Sequence, residues 1–106
     1  MKIAVLSTDG VNVDLHLGKG ESIYIYLSEN DFELIDHKFI DINKEKKHQY
    51  AKVINALSDC DVIIAQDFGF KSEVKAEKSN IILFKADGPI TEAYKDFMDW
   101  YEVLKG

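Results

Sequence analysis

The chain has one cysteine, Cys60, and one proline, Pro89, in 106 residues. A lone cysteine excludes an intramolecular disulfide and suits a reducing compartment, so a cytoplasmic protein is expected. No apolar run approaches the ~20 residues of a spanning helix. The apolar stretch at the start is too short for a signal peptide and runs into Asp9. There is no excess of basic residues either. The formal net charge is −6, which argues against a general nucleic-acid binder, because neutralising phosphates needs clustered cations. The one basic run, Lys44, Lys46 and Lys47, reads as a solvated helix end. Repeats, linkers and low-complexity segments are absent, and nothing suggests a membrane partner.

Against these absences, 46% of the residues are hydrophobic and the aromatics are well spread. That composition predicts one globular domain over 1–106. Ile3 to Leu6 is apolar without alternation, as in a strand covered on both faces and central in its sheet. Behind it lies a loop from Asp9 to Gly20, with His16 just before a Gly18-Lys19-Gly20 turn. Loops at the carboxyl ends of central strands are where open α/β sheets place ligands.

Ser22 to Ser28 is β-branched and aromatic, hence a second strand. Glu29-Asn30-Asp31 reads as its turn, and Phe32 to Ile40 as its edge partner. Tyr50, Val53, Ile54 and Leu57 make one helical face. Asp61 to Ala65 is a short apolar strand. Phe70 to Lys78 is a weaker helix with Phe70, Val74 and Ala76 to bury, and Ile81 to Phe84 is the last strand. Pro89 suits the first position of a final helix, whose face is Ile90, Ala93, Tyr94, Phe97, Tyr101 and Leu104. The order is β-β-β-α-β-α-β-α, an α/β fold with a mixed five-stranded sheet and the first strand in the middle.

Four segments should then meet at the carboxyl end of the sheet: Asp9 to Gly20, Asp41 to His48, Gln66 to Phe70, and Ala86 to Ile90. His16 and His48 belong there. Cys60 belongs at the opposite end, and His37 within the edge strand. Two histidines without a thiolate cannot make a closed structural zinc site. A labile metal site using His16, His48 and Asp14 is compatible with the pattern. Asp9, Asp67 and Asp87 could instead hold Mg²⁺ for phosphoryl transfer. Each is equally explained as a turn or cap residue, and the acidic charge weighs against a nuclease. Ser7-Thr8-Asp9-Gly10 is a weak phosphate cradle, since no glycine-rich loop leads from it into a helix.

The stretch Asp14-Leu-His16-Leu-Gly18-Lys19 resembles the Ser-x-His-Phe-Gly-Arg loop of the dinitrogenase iron–molybdenum cofactor biosynthesis domains, the NifX and nitrogenase accessory factor group. The resemblance runs over nearly the whole chain. His48 with Ala51 and Leu57 is similar to that family's histidine-led first helix, and Asp61 to Ala65 to its Gly-Val-Asp-Val-Val-Ile-Ala strand. Gly69 matches a glycine of the following loop, and Gly88 with Thr91-Glu92-Ala93 the start of the last helix. The resemblance implies a ribonuclease-H-like three-layer fold and a small non-enzymatic carrier or chaperone. Its cargo would be an iron–sulfur or iron–molybdenum cluster precursor, delivered to a metallocluster assembly protein. It implies His16, Gly18, Lys19 and Gly69 as cofactor-binding residues, with His16 and His48 as metal ligands. Three departures stand out. Gln66-Asp67-Phe68 replaces most of the glycines usual after the fourth strand, Leu17 replaces the aromatic, and Lys19 replaces the arginine, without its bidentate fork. The aromatic Phe68 in that relaxed loop motivates an alternative, a cofactor-free module that binds a protein.

Overall fold

The computed structural model describes every residue of 1–106 except Lys44. Strand β1 (Lys2–Leu6) has Ile3, Ala4, Val5 and Leu6 at 0% exposure, which puts it under cover on both faces. Along the chain follow β2 (Asn12–Val13), β3 (Ser22–Leu27), β4 (Glu33–Phe39), α1 (Tyr50–Ala56), β5 (Val62–Ala65), α2 (Phe70–Lys78), β6 (Ile82–Lys85), β7 (Gly88–Pro89) and α3 (Ile90–Lys105). Five strands form one mixed sheet in the order β4-β3-β1-β5-β6. β1 pairs antiparallel with β3 and parallel with β5, while β4 and β6 lie at the edges.

Alternation along the strands sends side chains to two cores. Ala4, Leu6, Ile23, Ile25, Ile63 and Ala65 pack with Val53, Ile54 and Leu57 of the α1 segment and Ala76 of α2. On the other face Ile3, Val5, Tyr26, Val62 and Ile64 pack with Ile90, Ala93 and Phe97 of α3. No helix among the described residues is long and apolar enough to cross a membrane.

Several local expectations are corrected. Asp9 to Gly20 is not all loop, because Asn12–Val13 pairs antiparallel with Gly88–Pro89 in a second, two-stranded sheet. Pro89 therefore belongs to β7 and caps α3, whose first residue is Ile90. The last long strand is Ile82–Lys85, one residue later than the apolar run suggests. Phe32 is a turn residue with φ +57, stacked between Tyr26 and Tyr94 at 4.0 and 3.8 Å. α2 turns Ser72 and Ala76 inward, while Phe70 is 77% exposed. At ~100° per residue, Phe70 lies nearly opposite Ser72 on the helix. Leu104 is also exposed. The 16 residues of α3 rise ~24 Å, against ~17 Å for a five-residue strand, so the helix outruns the sheet it covers.

Candidate functional site

The segment after β1 is tied to the segment after β5 as if the sheet continued. The Gln66 amide donates to Leu15 O and the Leu17 amide to Asp67 O, both at 2.9 Å, and His16 bridges Asp67 in parallel. Leu17 then drops into the core at 0% exposure, so His16 and Gly18 are anchored from below. A single turn of 3-10 helix, Leu17–Lys19, closes with Lys19 N–H donating to His16 O at 2.9 Å. The Gly18 amide donates to His16 Nδ1 at 3.0 Å. Gly18 itself is not forced to be glycine, since a Cβ there would make only ordinary contact with the His16 ring, 3.5 Å from Nδ1.

His48 arrives from the segment between β4 and α1. That segment is folded around Gln49, whose Oε1 accepts from the Asn43 amide at 2.9 Å and whose Nε2 donates to Lys46 O at 3.2 Å. The turn leaves His48 at φ +62, the left-handed region in which histidine is more common than most non-glycine residues. His16 and His48 line one open cavity of about 380 Å³ together with Gly18, Tyr50, Gly69 and Phe70. Lys71 and Ser72 complete its wall. A Cβ on Gly69 would meet nothing within 4 Å, so the packing of the fold does not require glycine there.

Two neighbouring depressions extend the cavity. One of about 450 Å³ adds Lys19, Glu45, Lys46 and Lys47 to His16, Gly18 and His48. The other, about 480 Å³ along α2, adds Lys75 and Lys78 to Lys71. Among the described residues that line these three depressions, six lysines thus stand beside one carboxylate, Glu45, on a chain of net charge −6. The clustering makes the charge at the mouth of the cavity locally positive. Lys71, Lys75 and Lys78 escaped the sequence reading, although their spacing of i, i+4 and i+7 places them on one helical face, and only the fold brings them near Lys46 and Lys47. Tyr50 and Ser72 had no sequence signal as site residues.

The remaining candidates are engaged elsewhere. Asp14 accepts from the Thr8 amide at 2.8 Å and from the Thr8 hydroxyl. Asp9 accepts from the Val11 and Asn12 amides, and those bonds hold its carboxyl below the usual range. Asp67 pairs with Lys85 at 2.9 Å, and that hydrogen bond, with the Phe68 amide, lowers it too. Asp87 accepts from Gln66 at 3.2 Å and from the Gly88 amide at 2.9 Å. Among the described residues no three of His, Cys, Asp and Glu gather to hold a metal ion, so the phosphoryl-transfer arrangement of Asp9, Asp67 and Asp87 is not assembled. The Gly88 segment pairs with Val13 beside α3 and does not line the cavity. Phe68 packs onto the core under Lys85, whose Nζ is 5.3 Å from its ring, which leaves Phe70 as the exposed aromatic of this loop. His37, on the edge strand β4, stacks on Tyr24 of β3 at 3.9 Å, with its Nε2 2.9 Å from Ser22 Oγ.

Cys60 is buried just before β5, beside Lys2 at the start of β1, because the next residue, Asp61, donates its amide to Lys2 O at 2.8 Å. His16 lies beyond the far end of β5, roughly 20 Å away at ~3.3 Å per residue. Burial, reinforced by the charge of Asp59, pushes the Cys60 thiol up to about 11, so it stays protonated at neutral pH.

Solved structures share the fold, among them the following two. PH0822, known from a crystal structure, superposes with a TM-score of 0.70 at 16% identity, covering 93% of this chain and 89% of its own. TM1290 of Thermotoga, provisionally described as a NifB protein of the DUF35 family, superposes with a TM-score of 0.61 at 18% identity, covering 92% and 87%. No curated protein matches in sequence. The family model described as dinitrogenase iron–molybdenum cofactor matches residues 1–99, almost the whole chain, so the protein belongs to that family.

Proposed function

We propose that the protein is a carrier that takes up an anionic metal–sulfur cluster precursor in the cavity between His16 and His48 and passes it to a metallocluster assembly protein. The family connects the chain to iron–molybdenum cofactor biosynthesis. The observation that carries the finer reading is that histidines from two separate segments line one open cavity bordered by lysines. A carrier needs few, exchangeable contacts and an open approach. Two imidazoles, the glycines at Gly18 and Gly69, and a cationic mouth supply these, while the cargo keeps its own sulfides. Lys19, Lys46 and Lys71 would offset the cargo's negative charge, so uptake should weaken as salt rises. The strand order β4-β3-β1-β5-β6 supports a ribonuclease-H-like assignment of the fold. Phe70, exposed at the mouth, is suited to be covered by the assembly partner.

The test is anaerobic titration with a synthetic iron–sulfur cluster, followed by absorbance and native mass. Wild type should take up one cluster per chain, and His16→Ala combined with His48→Ala should weaken uptake about 100-fold. Equal uptake by the double variant would place the site elsewhere. A wild type that takes up no cluster would favour the cofactor-free protein-binding module instead. Cys60→Ser, at the opposite end of the sheet, should leave uptake unchanged and cost about 1–2 kcal/mol of stability, read from urea unfolding. Loss of uptake in that variant would move the site to the thiol.

A further inference from the structure

Within this carrier reading, on which the following rests, we infer that the two cavity histidines have different chemistry: His48 offers a ligand nitrogen, and His16 offers an Nε2–H that donates a hydrogen bond to the anionic cargo. The distinction follows from proton accounting. A neutral imidazole has one N–H and one lone-pair nitrogen. The lone pair of His16 is spent on Nδ1, which accepts the Gly18 amide at 3.0 Å. A flipped ring would set carbon against that amide, so the hydrogen bond also settles the ring orientation. The proton is therefore on Nε2, the nitrogen left for a ligand. Metal bonding through Nε2 would require moving the proton to Nδ1, where it would face the Gly18 N–H.

The Gly18 amide is not easily withdrawn. Its turn is closed by Lys19 N–H donating to His16 O at 2.9 Å, held by Leu17 N–H donating to Asp67 O at 2.9 Å, and fixed below by the fully buried Leu17. His48 differs. Among the described residues no hydrogen bond engages its ring, so it is free to present a lone pair. The cavity thus offers one ligand and one donor, beside cations. Such a set suits a sulfide-bearing anion and discriminates against a bare divalent cation, to which an N–H is repulsive.

Glutamine separates the roles, because its side-chain N–H₂ reproduces a donor near the imidazole Nε2–H position. The full-length protein is loaded anaerobically with a synthetic iron–sulfur cluster. His16→Ala should lower affinity roughly 10-fold and His16→Gln should stay within about twofold of wild type. His48→Gln should lose as much as His48→Ala. With ¹⁵N-histidine, pulsed electron paramagnetic resonance of the reduced cluster should show one coupled imidazole, lost in His48→Ala and kept in His16→Gln. Two coupled imidazoles, or loss of binding in His16→Gln equal to that in His16→Ala, would overturn the assignment. A second readout needs no cargo: ¹⁵N nuclear magnetic resonance of the unloaded protein should give the Nε2-protonated tautomer for His16, and an Nδ1-protonated ring would overturn the inference. Failure of the wild type to take up cluster, with the tautomer as stated, would overturn the carrier reading and the donor role toward cargo with it, leaving only the Nε2-protonated ring of His16.

Discussion

Truncating Leu17 to alanine should lower the free energy of unfolding by about 2–5 kcal/mol and disturb the cargo site with it. Leu17 is fully buried among Leu6, Ile54 and Leu57, so its removal takes apolar surface from the core and leaves a cavity lined by residues held in strands and a helix. Few neighbours can relax to fill it. The same residue connects His16 to Gly18, and its amide holds the segment to Asp67. Loosening it frees the Gly18 amide from the His16 ring. Urea unfolding measures the first effect, and the histidine ¹⁵N spectrum under conditions where the variant is folded measures the second. A stability loss below about 1 kcal/mol, or an unchanged His16 tautomer, would separate the loop from the core and contradict this account.

Phe97→Ala should be at least as costly, about 3–5 kcal/mol, yet leave the site intact in the folded molecules. Phe97 is fully buried on the α3 face of the sheet. Its ring meets Phe84 edge-on at 5.3 Å and lies 5.9 and 5.7 Å from Trp100 and Tyr101. Its loss removes burial and several aromatic contacts together. Because domains have only about 5–15 kcal/mol to lose, this variant approaches the threshold of folding. Phe97→Leu keeps most of the volume and should cost below about 2 kcal/mol, so it supplies the same comparison in a well-folded protein. The cavity is lined from the α1 and α2 side, with the sheet between. Cluster affinity per folded molecule should therefore match wild type in Phe97→Leu and fall in Leu17→Ala. Equal losses in the two would mean that the site reports global stability and nothing more local.

The elements legible beforehand were those whose burial repeats along the chain. Ile3 to Leu6 announced a strand covered on both faces because no polar residue breaks the run, and all four are fully buried. Tyr50, Val53, Ile54 and Leu57 announced α1 by their spacing, and Val53, Ile54 and Leu57 are buried. Phe70 was misread as a buried position because a large aromatic in a weak helix looks like its anchor. The stripe that packs runs through Ser72 and Ala76, small residues that let α2 lie close to the sheet. Leu104 was misread because periodicity continues past the point where the sheet ends.

What the chain determined by itself is local: periodicity in one segment decides which residues seek the core, and a histidine after a central strand lies where α/β sheets place ligands. The tertiary structure alone decided the rest. The pairing of Asn12 and Val13 with Gly88 and Pro89 joins segments far apart in sequence through backbone groups, and two residues are too few to leave a pattern. The cationic mouth draws its lysines from three separate segments, each of which reads alone as an ordinary solvated surface. The proton on His16 is settled by one amide, Gly18, whose direction depends on Leu17 being buried and Asp67 being within reach. Side-chain chemistry at a site is a property of positions in space, and a one-dimensional pattern carries only the part of that information that burial repeats.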